Sequence, residues 1–145
     1  MGFSSDGQTM EGRHGQIPSA FDSPGDVTPQ AWAPAIAVNP SGAIAIAWSD
    51  ARNDRSTIKG NLRCKEIFFT ASTDGGRTFA PEIRVSSKAS CPGAPRNVDV
   101  ALRFPAGGEY MGLAPGPGNS FQLLWSDSRS DLFRLYTAMV MIQSQ

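Results

Sequence analysis

Two short runs of the chain carry recognition chemistry at a fixed spacing. Ala43-Ile44-Ala45-Ile46-Ala47-Trp48-Ser49-Asp50-Ala51-Arg52 and Ser120-Phe121-Gln122-Leu123-Leu124-Trp125-Ser126-Asp127-Ser128-Arg129 both end in Trp-Ser-Asp-x-Arg. An arginine guanidinium is a planar fork of donors that fits a carboxylate in bidentate fashion. Arg52 and Arg129, with Asp50 and Asp127 beside them, are therefore candidates to grip an anionic substrate. The competing assignment is an ion pair that closes each loop between near neighbours. Repetition at equivalent places favours the ion pair, because structural devices recur and active sites rarely do. Such a pair, if exposed, contributes only about 0–1 kcal/mol. Trp48 and Trp125 read as core aromatics, whereas Trp32 fits either a core or a sugar-stacking role. His14 is the sole histidine, so a Ser-His triad has little support. No Cys/His cluster has zinc spacing, and the acidic residues are too scattered for calcium. No metal or cofactor is expected.

A third run has turn chemistry. Ser72-Thr73-Asp74-Gly75-Gly76-Arg77-Thr78-Phe79 lies between two apolar stretches, Ile67–Ala71 and Ile83–Val85. A carboxylate at Asp74 can accept backbone N–H groups that a strand ladder cannot reach. Gly75 and Gly76 supply positive φ. The Ser72 and Thr78 hydroxyls can bond across the base of the turn, and the Phe79 ring can fold back over it. Phe3-Ser4-Ser5-Asp6-Gly7-Gln8-Thr9-Met10 reads as an eroded second copy, one residue short.

The elements that must position these runs are short strands. Each Trp-Ser-Asp-x-Arg run follows a turn (Asn39-Pro40-Ser41-Gly42; Gly116-Pro117-Gly118-Asn119) and an earlier apolar run. A further strand follows each, with Phe69-Thr70-Ala71 matching Tyr136-Thr137-Ala138. Self-similarity of this kind predicts a repeat architecture. The strands are expected at about 34–38, 43–48, 66–72 and 78–86, then at 109–114, 120–125 and 133–141. Residues 131–142 also fit a helical spacing, and the match to 66–72 selects strand. Cys64 and Cys91 flank the hairpin centred near Gly75, which can bring them within bridging distance. The alternative is a pair of reduced, partly buried thiols.

Ser-x-Asp-x-Gly-x-Thr-aromatic between two strands resembles the Asp box, or BNR repeat, of sialidase-like β-propellers. The resemblance implies an all-β fold: about two and a half four-stranded antiparallel blades of a six- or seven-bladed propeller. Residues 1–20 would end one blade, 33–87 would form a complete one, 88–108 a long loop, and 109–145 a final blade lacking its outer strand. The missing blades would belong to a longer parent, of which these are the C-terminal ones, or to other copies. The resemblance also implies that the active face lies opposite the Asp box. That places Asp50, Arg52, Asp127 and Arg129 on the functional rim, with Arg96, Asn97, Asp99 and Arg103 on the long loop. Sialidases carry a Tyr nucleophile near the start of a late innermost strand, as Tyr-Ser-x-Leu. Here the run is Glu109-Tyr110-Met111-Gly112-Leu113, with Met in place of Ser, and Tyr110 is the candidate. The Arg-Ile-Pro run and acid/base Asp of the family's early blades are absent from these residues. The implied function is a sialidase-like exo-glycosidase acting on or recognising glycans, inactive as this isolated chain. The alternative is a non-catalytic Asp-box propeller that binds carbohydrate or protein or serves as a structural module. The family leans towards secretion or the cell surface.

Composition bounds the remaining classes. Lys plus Arg and Asp plus Glu are 13 each among 145 residues, a balance that argues against a nucleic-acid partner. No apolar run approaches the ~20 residues of a membrane helix, so no membrane partner is expected. The first residues lack the basic start and apolar stretch of a signal peptide. Gly at 15 and Pro at 11 suit a chain of many turns.

Overall fold

The computed structural model describes residues 2–3, 9–10, 31–54, 64–91, 110–130 and 133–143. Among the described residues nine strands lie in chain order: β1 Gly2–Phe3, β2 Thr9–Met10, β3 Ala31–Val38, β4 Ile44–Asp50, β5 Glu66–Ser72, β6 Ile83–Arg84, β7 Met111–Pro115, β8 Ser120–Asp127 and β9 Arg134–Met141. Every pairing is antiparallel and joins consecutive strands: β1-β2, then β3-β4-β5-β6, then β7-β8-β9. The protein is all-β, and among the described residues there is no helix. The stretch that fitted both periodicities, 131–142, holds strand β9.

Alternation in the sequence sorts the side chains of each sheet. In the first sheet, Ala45, Ala47, Phe69 and Ala71 share one face through the pairs Ala45↔Ala71 and Ala47↔Phe69. Ile36, Ile44, Ile46, Trp48 and Phe68 share the other, through Ile36↔Ile46 and Trp48↔Phe68. β5 is buried along its whole length, as a central strand covered on both faces must be. In the second sheet, Phe121, Leu123 and Trp125 of β8 point one way and Gln122 and Leu124 the other.

The two sheets meet face to face. The alanine-rich face of the first receives the large residues of the second, so one core holds Ala45, Ala47, Phe69, Ala71, Phe121, Leu123 and Trp125. Phe69 and Phe121 meet across it with ring centroids 6.1 Å apart. Small residues opposite large ones let two layers interdigitate without voids. The first strands of the two sheets, β3 and β7, lie against each other. Polar side chains pin the sheets at both ends. At one end Asn39 Nδ2 donates to Asn119 Oδ1 at 2.8 Å. At the other, the Ser128 N–H donates to Ser90 Oγ at 3.0 Å and the Ser128 hydroxyl to the Cys91 carbonyl at 3.0 Å. Ser90 and Ser128 are both buried, so these bonds satisfy groups that water cannot reach.

Three local expectations need correction. The strand expected over 78–86 pairs only at Ile83 and Arg84. Pro81 has no N–H for a ladder, and the preceding turn runs to Thr78. The segment still follows β5 through spaced bonds: Ala80 N–H to Ala71 O at 2.9 Å and Val85 N–H to Ile67 O at 2.7 Å. The match of Phe69 to Tyr136 is also shifted by one. Trp48 pairs with Phe68 and Trp125 with Tyr136, so Phe68 is the counterpart of Tyr136. Finally, Tyr110 precedes β7 rather than beginning it.

Candidate functional site

The Ser72–Phe79 turn is a closed hydrogen-bond cage around one carboxylate. Ser72, the last residue of β5, donates its hydroxyl to Asp74 Oδ1 at 2.7 Å and accepts the Gly76 N–H at 2.9 Å. The N–H groups of Arg77 and Thr78 both reach Asp74 Oδ1 at 2.9 Å, and the Thr78 hydroxyl reaches Oδ2 at 2.7 Å. Gly75 and Gly76 have φ of 75° and 84°, which strain any residue with a Cβ. The Thr78 backbone N–H, then the Thr78 and Ser72 hydroxyls, hold the Asp74 carboxyl well below the usual carboxylate range. The Arg77 side chain folds back to donate to the Asp74 carbonyl at 3.1 Å. Phe79 is half-buried. The Ser72, Asp74 and Thr78 side chains are all directed at the turn itself.

The two Trp-Ser-Asp-x-Arg runs form a second repeated device, at the opposite end of the strands. Residues 48, 50 and 52 lie on one side of β4 and its extension, as do 125, 127 and 129 on β8. The Trp48 indole N–H donates to Asp50 Oδ2 at 3.1 Å, and the Trp125 indole N–H to Asp127 Oδ2 at 2.8 Å. Each carboxylate also accepts the backbone N–H two residues on, from Arg52 at 2.7 Å and Arg129 at 3.1 Å. Each then pairs with that arginine's guanidinium. Arg52 Nη2 lies 2.6 Å from Asp50 Oδ2. Arg129 Nε lies 2.8 Å from Asp127 Oδ2, with Nη2 also on that oxygen. The guanidinium carbon of Arg52 sits 4.4 Å above the Phe68 ring, and that of Arg129 4.3 Å above Tyr136.

Sequence reasoning identified these pairs but treated them as exposed. Asp50 is 0% exposed and Asp127 2%, so both carboxylates are buried and rely on their donors. The indole donors and the aromatic seats were also missed. The indole contact was legible in principle, because positions i and i+2 of a strand share a face.

Other partners are distant in sequence. Arg52 also pairs with Glu82, Arg84 with Glu66 at 2.6 Å, and Asn53 donates to Glu66 Oε2 at 2.5 Å. Arg129 Nη1 crosses between sheets to Ser87 Oγ at 2.9 Å. Cys64 and Cys91 are joined in a disulfide, next to the two backbone bonds of 2.8 Å that link Lys65 and Ser90.

Tyr110 is 89% exposed. The loop candidates Arg96, Asn97, Asp99 and Arg103 lie outside the described residues, as do His14 and the interior of the Phe3–Met10 run. Among the described residues no three His, Cys, Asp or Glu side chains gather as a metal site. Beside the second device a cleft of about 410 Å³ opens between the sheets, lined by Ser87, Lys88, Trp125, Arg129, Ser130 and Tyr136. The Tyr136 hydroxyl donates to Ser130 Oγ at 3.0 Å on its rim. Comparison with the models of known protein families, with curated proteins and with solved structures gives no match.

Proposed function

We propose that the two sheets are neighbouring blades of an Asp-box β-propeller, and that this part of it recognises glycans or glycoconjugates without hydrolysing them. The cage around Asp74, the consecutive antiparallel strands and the contact between β3 and β7 support the blade reading. The observation that carries the functional reading is the state of the two rim arginines. Arg52 and Arg129 each commit the guanidinium to the carboxylate two residues back and to an aromatic seat. Neither offers the free fork that a substrate carboxylate needs. The cleft beside Arg129 combines an aromatic ring, hydroxyls and a lysine, groups suited to sugar rings and their hydroxyls. The disulfide fits a secreted or cell-surface compartment, where such bonds persist.

The second reading makes the chain the C-terminal part of a sialidase-like exo-glycosidase with Tyr110 as nucleophile. The exposure of that ring beside an innermost strand favours it.

One pair of assays separates the readings. Wild-type protein and Tyr110→Phe are incubated with a fluorogenic sialoside, and wild-type protein and Lys88→Ala are titrated with a sialylated oligosaccharide by heteronuclear NMR. The recognition reading expects no turnover, and shifts around Lys88 and Tyr136 that weaken at least several-fold in Lys88→Ala. Turnover lost in Tyr110→Phe would establish the glycosidase. Absence of shifts would remove the recognition reading.

A further inference from the structure

The contact between the two sheets is directional, and among the described residues both of its halves recur on faces that no other sheet covers. Inside, the Phe121, Leu123 and Trp125 face of the second sheet seats on the Ala45 and Ala47 face of the first. Strand register fixes the equivalences. Leu113 pairs with Leu123 as Ile36 pairs with Ile46, and Pro115 with Phe121 as Val38 with Ile44. The outer face of the first sheet, with Ile36 and Val38 at its inner edge, is therefore the counterpart of the face that the second sheet buries. The outer face of the second sheet pairs Gly112 with Leu124, Ala114 with Gln122, and Gln122 with Met139. It is the counterpart of the face that the first sheet offers. Both carry exposed apolar side chains: Ile36 is 67% exposed, Val38 54%, Leu124 45% and Met139 55%. The polar side chains Arg52, Glu66, Glu82 and Arg84 pair over the outer strands of the first sheet, while Ile36 and Val38 of β3 stay exposed.

We propose that a second copy of the chain covers these faces head to tail. Ile36 and Val38 of one copy seat on the Gly112, Ala114 and Leu124 surface of the next, as Leu113 seats within each copy. The occupant follows from continuity: the external contact repeats the relation that the internal one already makes. The contact is heterologous, so each addition leaves one complementary face free until the rotation closes a ring. Radial stacks of sheets close at about four to eight, which corresponds to about two to four copies of this pair. This assembly stands independently of the glycan reading.

The test is sedimentation velocity on the full chain, from micromolar to submillimolar concentration. The wild type is expected at two to four times the monomer mass. Ile36→Asp, which closes one face, and Leu124→Asp, which closes the other, are each expected as monomers. An equimolar mixture of the two is expected to form a heterodimer, because each retains the face that the other lacks. Val38→Lys and Met139→Lys provide a second pair if either Asp variant loses its near-ultraviolet circular dichroism. A wild type that is monomeric throughout overturns the proposal. Two monomeric variants that fail to combine overturn it as well, and so does a variant that keeps the wild-type mass.

Discussion

At the scale of single residues, three aspartates, Asp50, Asp74 and Asp127, hold loops by accepting donors rather than by presenting themselves to a ligand. Asp74 is the clearest case, because its carboxyl is depressed by groups within four residues of it. A depressed carboxylate stabilises the folded state above its unfolded value, near 3.8 here, and the contribution falls away as the pH drops below that value. Asp74→Asn is therefore expected to lower Tm at neutral pH, with the gap to wild type narrowing as the solution is acidified below about 4. Thermal scans of both proteins across that range check it, and a gap independent of pH would contradict it. The buried Asp127 should respond differently. Asp127→Ala leaves the Arg129 guanidinium and the Trp125 indole without their acceptor in a nearly closed site. A cost of about 3 kcal/mol is expected from chemical denaturation. Arg129→Lys keeps the charge but loses the fork and the flat contact with Tyr136, so it should also destabilise, by about 1 kcal/mol or more. Near-neutrality of both changes would mean that the device is not structural.

At the scale of elements, the hairpins were legible and their edges were not. The positions of β4, β5 and β8 follow from short apolar runs set off by turn residues and repeated along the chain. The alignment of the third strands failed by one residue because letters were matched, Phe69 with Tyr136, while register is set by which ring stacks on the tryptophan. Trp48 stacks on Phe68 at 6.2 Å and Trp125 on Tyr136 at 6.2 Å. A one-residue slip reverses every side chain on a strand, so only a face-by-face comparison settles it. β6 shrank because Pro81 and the turn before it remove ladder donors, a local effect visible in the sequence but not weighed there. The Cys64–Cys91 bridge closes the β5–β6 hairpin across a separation of 27 residues. Replacing both cysteines by serine is expected to cost about 2–4 kcal/mol. Reducing and non-reducing denaturation curves measure it, and superimposable curves would show that the bridge contributes nothing.

At the scale of the whole molecule, the alanines of β3 and β4 have a role that composition hides. Alanine is a poor strand former on propensity alone. Here Ala45 and Ala47 make a shallow bed for Phe121, Leu123 and Trp125 from a different sheet. Ala47→Leu is thus expected to destabilise by about 1–3 kcal/mol through overpacking, and Phe121→Ala by about 3–5 kcal/mol through the cavity it leaves. The sequence carried the existence of two similar units but not the direction in which one seats on the other. That direction depends on the large-on-small matching of faces 70 residues or so apart, which no local pattern encodes. It also underlies the recognition cleft and the head-to-tail assembly, since both depend on the second sheet lying over the alanine face of the first. The most direct measurement is a nuclear Overhauser spectrum of aromatic-labelled protein, read at the Phe69 and Phe121 rings. With centroids 6.1 Å apart, cross-peaks between the two rings are expected. Cross-peaks from Phe69 only to its own sheet, with Phe121 exposed to solvent, would contradict the packing and the function built on it.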